Sequence, residues 1–142
     1  MNEIIVGVDR SDTARRAAFT AAQLAVSLDK PLHLVMAVSR TQPISFGSGS
    51  DSFHTDWLTS AEEFLDALGG ELPAKQISRT VSLLDPATAM CDEAQRLEAT
   101  MIVVGNRRVQ GLARVLGAVA SDVARQAPCD VLIANTTTDS TD

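Results

Sequence analysis

Met101-Ile102-Val103-Val104-Gly105-Asn106-Arg107-Arg108 is the stretch on which the reading of this chain turns. Four apolar residues follow one another with no polar residue between them and stop at a glycine. A half-buried strand would alternate; an unbroken apolar run of this length reads as a strand covered on both faces, the kind parallel sheets use. A polar loop punctuated by Gly111 and Gly117 follows, then a helical pattern from Ala118 to Ala127. In parallel α/β sheets ligands sit at the carboxyl ends of the strands, where amides of the next helix point outward. Function is therefore expected at this junction.

Working outward, Glu3-Ile4-Ile5-Val6-Gly7-Val8-Asp9 is a second apolar run of strand length. Ser11 or Asp12 can cap a helix from about Asp12 to Leu28 by accepting from its unpaired N–H groups. Ala14, Ala17, Ala18, Ala21, Ala22, Leu24, Ala25 and Leu28 give that helix a stripe of mostly small residues, suited to close packing on a sheet. Lys30-Pro31 ends it, and Leu32 to Val38 forms the next strand, with His33 in a structural role. The Gly/Ser-rich segment from 40 to 55 reads as a mobile loop, with too little apolar surface to order itself. A helix from about Asp56 to Leu68 should present Trp57, Leu58, Ala61, Phe64, Leu65 and Leu68 on one face and stop at Gly69-Gly70. Lys75 to Leu83 alternates as an edge strand would. Asp85-Pro86 then opens a helix to about Glu98, a capping carboxylate followed by proline at the first helical position. The last strand is Asp130 to Ala134, and the Thr/Ser/Asp-rich tail from 136 to 142 is expected to be disordered.

Strand and helix alternate throughout, which gives one α/β domain over 1–142: a doubly wound five-stranded parallel sheet with helices on both faces. A net charge of −6 argues against a nucleic-acid or anionic-membrane surface, since both need a basic stripe. The N-terminus enters a strand directly, without a basic leader or a long apolar segment, so a soluble cytoplasmic location is expected. Cys91 and Cys129 follow no metal-ligand spacing and read as reduced, small buried residues.

Three stretches together resemble the universal stress protein family: Ile4 to Ser11, Asp85-Pro86-Ala87 ahead of a helix, and Met101 to Ile133 with its Gly-Leu-Ala-Arg-Val-Leu-Gly and Ala-Pro-Cys-Asp-Val-Leu-Ile pieces. The resemblance covers essentially the whole chain. It implies strand order 3-2-1-4-5 in an adenine nucleotide alpha hydrolase-like fold, and a homodimer through the strand at 130–134. It also implies an adenine base near Gly7, Asp9, Ala37 and Val104, with Gly105 beside the ribose and Gly117, Ala118 and Val119 at the phosphates. Members that bind ATP resemble one another in a loop Gly-x-x-Gly-x9-Gly-(Ser/Thr), whose glycines let backbone donors approach phosphate. Here Gly105 matches, but Arg108 stands at the second glycine, eight residues rather than nine precede Gly117, and Ala118 replaces the hydroxyl. A one-residue slip would bring Ser121 into play.

Arg107 and Arg108, with Arg10, can form a cationic clamp that replaces neutral backbone donors around a phosphate. They can equally shade the phosphate site, or stand as solvated surface residues. Asp9 reads as a ligand contact or as an acid beside the helix start bonded to Ser11. No Walker loop and few histidines or paired acids are present, so no enzyme is expected beyond the slow ATP hydrolysis the resemblance allows. Two function classes stay open. One is a stress-response regulatory module binding ATP or another adenine nucleotide, with Mg²⁺ accompanying it. The other is a nucleotide-free dimeric interaction protein whose crevice is vestigial.

Overall fold

The structure is a computed structural model that describes residues 2–38, 50–106 and 117–136, leaving out the side chains of 50–56. Its elements run β1 (Ile4–Gly7), α1 (Asp12–Leu28), β2 (Leu32–Ala37), α2 (Ser50–Glu71), β3 (Ile77–Ser82), α3 (Pro86–Arg96), β4 (Met101–Gly105), α4 (Ala118–Gln126) and β5 (Asp130–Ala134). The strands form one parallel sheet in the order β3-β2-β1-β4-β5. That is the order the resemblance implied.

Period-2 alternation divides the apolar strands between two cores. Ile4, Val6, Leu32, Leu34 and Val103 face α1 and α2, whereas Ile5, Val35, Ile102 and Val104 face α3 and α4. Away from their ends the central strands are hidden from water, which explains their unbroken apolar runs. Against the first face α1 buries Ala14, Ala17, Ala18, Ala21, Ala22 and Ala25, so small methyls pack against the larger strand side chains. Leu24 and Leu28 were expected on the same stripe. Leu24 packs only partly against the core, and Leu28 is 45 % exposed at the end of the last turn. Asp29 closes the helix in the left-handed region (φ 55°), and the N–H groups there bond back to Ala25 and Val26. Asp tolerates this conformation better than most non-glycine residues.

Four expectations need correction. The helix expected from Asp56 to Leu68 begins at Ser50, so residues 50–55 of the expected mobile loop are helical; residues 39–49 lie outside the described residues. Nor do Gly69 and Gly70 stop it. The helix continues to Glu71 because Leu68 and Leu72, one turn apart, are both buried. Two interior glycines cost about 1 kcal/mol each, and burial of a leucine offsets a cost of that size. Leu58 of the expected apolar face is exposed. Finally, Thr136 heads the expected tail yet is buried: its N–H donates to Asn106 Oδ1 (3.0 Å) and its hydroxyl to the Asn106 carbonyl (2.5 Å). Residues 137–142 lie outside the described residues.

Both capping expectations hold. Ser11 Oγ accepts from the Ala14 N–H at 3.1 Å, and Asp85 Oδ2 from the Thr88 N–H at 3.1 Å, with Pro86 at the first turn. α3 ends at Arg96, short of the expected Glu98, which turns into the left-handed region (φ 50°). β3 is an edge strand, as its alternation predicted.

Candidate functional site

The strand order reverses between β1 and β4, and the two strands end side by side in Gly7 and Gly105. A cavity of about 410 Å³ opens there, within the range typical of small-molecule sites. Gly7 at the end of β1 and Asp9 two residues beyond it, Ala37 from β2, and Val104 and Gly105 from β4 line it, and Gly117, Ala118 and Val119 close the far side. These are eight of the ten residues singled out in the sequence. The other two, Arg107 and Arg108, lie outside the described residues, as do Gly111 and Arg114.

The space beside both strand-end glycines is tight. A Cβ on Gly7 would stand 2.5 Å from Met90 Sδ, and one on Gly105 would stand 3.1 Å from Thr136 Cγ2 and 3.2 Å from Thr13 Cγ2. At the far side α4 begins on Gly117, which caps it without a side-chain hydrogen bond. The first N–H groups of a helix have no intrahelical partner, so the amides of Ala118, Val119 and Ala120 are donors at the positive end of the helix dipole. Asp9 is the one charged side chain among the described lining residues. Its Oδ1 accepts from the Ser11 N–H at 2.7 Å, which fixes the carboxylate over the start of α1.

Two expectations differ from the geometry. Arg10 turns away from the cavity: its guanidinium lies 4.8 Å from the Phe64 ring centroid and bonds Ser60 Oγ at 3.1 Å, both on α2. Ala120 rather than Ser121 lines the cavity. Sequence reasoning also missed Ser11, Thr13, Pro86 and Met90. The signal was there for Pro86, because a parallel sheet sends every helix start to the same end. Met90 could have been found four residues along the same helix face.

A second polar centre lies beneath α3. His33 on β2 is 3 % exposed; its Nδ1 meets Ser78 Oγ at 2.6 Å, and its Nε2 meets Thr80 Oγ1 at 2.9 Å and Glu93 Oε1 at 3.1 Å. Register explains the meeting, since His33 pairs with Ser78 across the ladder and Thr80 is two residues on. Thr80 Oγ1 also donates to Glu93 (3.0 Å), and Arg96 Nη2 pairs with the same carboxylate at 2.5 Å. Burial pushes the His33 imidazolium below its ordinary value of 6.5, outweighing the attraction of Glu93. The Arg96 hydrogen bond holds Glu93 below 4.5. Cys91 and Cys129 are unbonded thiols that burial pushes above the usual range, so neither has the character of a reactive thiolate. No helix among the described residues is long and apolar enough to cross a membrane.

Fold and cavity together define a doubly wound α/β protein with a ligand crevice at its topological switch point. Residues 1–135 match the universal stress protein family, and the chain belongs to it. It is 32% identical over 136 residues to the universal stress protein Rv2624c of Mycobacterium tuberculosis, covering 94% of this chain and 48% of the relative. The chain thus spans about half the length of that protein. Rv1636 of the same organism is 31% identical over 144 residues, covering 94% of this chain and 96% of the relative. Among solved structures, a universal stress protein in complex with cAMP is 29% identical, with TM-score 0.64 and 95% and 97% of the two chains covered. The universal stress protein from Archaeoglobus fulgidus in complex with dAMP is 25% identical, with TM-score 0.64 and 92% and 94% covered.

Proposed function

We propose that this universal stress protein binds an adenine nucleotide in the cavity between Gly7 and Gly105, and that occupancy is its regulatory signal. The observation that carries the reading is the pairing of an apolar slot with a bare helix start. Val104, Ala37 and the Gly7 backbone suit a flat base, and the amides of Ala118, Val119 and Ala120 suit a phosphate. Two solved relatives hold cAMP and dAMP, which supports the same ligand class here. Asp9 takes the base or ribose end and Gly105 the ribose. Ala118 offers no hydroxyl at the phosphate end, which favours a mononucleotide over ATP with Mg²⁺; Arg107 and Arg108 would supply the charge a longer phosphate chain needs.

Calorimetry with AMP, cAMP, ADP and ATP, with and without Mg²⁺, tests this. The expected result is binding that Asp9→Ala weakens at least tenfold, the loss of about 1.4 kcal/mol or more. Absence of binding by every nucleotide would leave the crevice vestigial and the chain an interaction protein. For the clamp, the advantage of ATP over adenosine should shrink as salt rises; equal affinities at low salt would remove it. We also place the protein in the cytoplasm as a homodimer paired through β5, whose Leu132 is 37 % exposed on an open edge. Leu132→Lys should shift its sedimentation from dimer to monomer.

A further inference from the structure

The His33 centre and the nucleotide cavity share two elements. On β2, Val35 and Ala37 lie two and four residues beyond His33 on the same face, and both line the cavity. On α3, Glu93 reaches His33, and three residues earlier Met90 lines the cavity and packs on Gly7. Residues three apart are neighbours on a helix face, so α3 is held down at adjacent points.

A neutral ring satisfies the whole network: the Ser78 hydroxyl donates to Nδ1, Nε2–H donates to Thr80 and Glu93, and Thr80 donates to Glu93. A second ring proton changes this arrangement. It reverses the Ser78 bond and places a charge under α3. Ser78 is exposed on the edge strand, which gives water a path to Nδ1. The charged groups that act on the ring are Glu93 and Arg96 from α3 and Glu3, just ahead of β1. Of the described residues on β3, Ser78 and Thr80 present only hydroxyls, and Arg79 between them pairs with Glu62 and Asp66 of α2. Glu93 attracts the proton, Arg96 on the same carboxylate repels it, and burial decides in favour of the neutral ring.

We propose that the nucleotide cavity is proton-linked through α3: protonation of His33 loosens this helix from the sheet and weakens nucleotide binding, and bound nucleotide in turn opposes protonation of His33. The regulation rests on the nucleotide reading above, and its test has an arm that does not. The ligand for the first arm is cAMP, whose phosphodiester keeps one charge across the range, so the ligand itself does not titrate. Its affinity for wild type should fall roughly fivefold or more from about pH 7.5 to about pH 5.5. His33→Gln should flatten the profile. Glu93→Gln, which removes the attraction, should move the midpoint to lower pH and serves if His33→Gln does not fold. By reciprocity, saturating cAMP should lower the His33 titration midpoint followed by NMR. The second arm uses ligand-free protein, in which the Met90 methyl resonance should shift with the His33 midpoint. Equal pH profiles in wild type and His33→Gln overturn the proposal. If cAMP does not bind at any pH, the nucleotide reading fails and the Met90 methyl decides the linkage: a resonance unmoved across the His33 titration overturns it.

Discussion

Gly7 has no side chain because Met90 occupies the space, and Met90 is itself 2 % exposed. Gly7→Ala would drive a methyl to 2.5 Å from Sδ, and the thioether is the part of the contact that can yield. Its way out is the cavity it already lines. The expected result is a loss of roughly 1–3 kcal/mol by urea unfolding, the usual cost of overpacking, with nucleotide binding lost because the displaced side chain fills the slot. Met90→Ala in the same chain should restore binding while leaving stability low. If Gly7→Ala binds as tightly as wild type, Met90 is not a wall of the site. Glycines in the runs at Gly7 and Gly105 were legible from sequence, because each interrupts an apolar strand. The atoms that demand them were not: Met90 lies on another element, and Thr136 lies in the expected tail.

Elements show the same division between local and distant causes. β1, β2, β4 and β5, the two capped helix starts at Ser11 and Asp85, and the whole of α1 follow from residues adjacent in sequence. α2 does not, because Gly69-Gly70 is a local stop signal overruled by the burial of Leu72. The His33 network is equally hidden, since its partners are 45, 47 and 60 residues away. At the cavity, eight of the expected residues converge, because a parallel sheet must bring strand ends and helix starts to one side. Packing of α1 gives a prediction at this scale. Ala21 is 0 % exposed against the sheet, so Ala21→Leu must lift the helix. A destabilisation of roughly 1–3 kcal/mol by chemical denaturation is expected, whereas Arg16→Leu on the exposed face should stay within about 0.5 kcal/mol.

For the molecule as a whole, His33 and Glu93 each contribute to the response to acid, beside Glu3 and Asp85, whose carboxyls are also held below their ordinary values. The folded state holds His33 below 6.5, so the unfolded chain takes up the proton first and stability falls as pH drops through 6.5, levelling below the folded value. Glu93 is held below 4.5, so its contribution is present above 4.5 and is lost as pH falls through the folded value. Urea midpoints from about pH 8 to about pH 3 should therefore decline in two stages, and His33→Gln should abolish the upper one. A single decline confined to the carboxylate range would contradict the buried neutral ring. The alanine face of α1 carries a different consequence. With six methyls already flush against the sheet, substitution there can add bulk but can remove almost none. Chance replacements at those positions therefore act in one direction only, prising two layers apart, whereas the larger residues they pack against, such as Ile4, Leu32 and Leu34, can be eroded as well as overfilled. A saturation library should show this asymmetry as alanine positions that accept glycine or serine and little else.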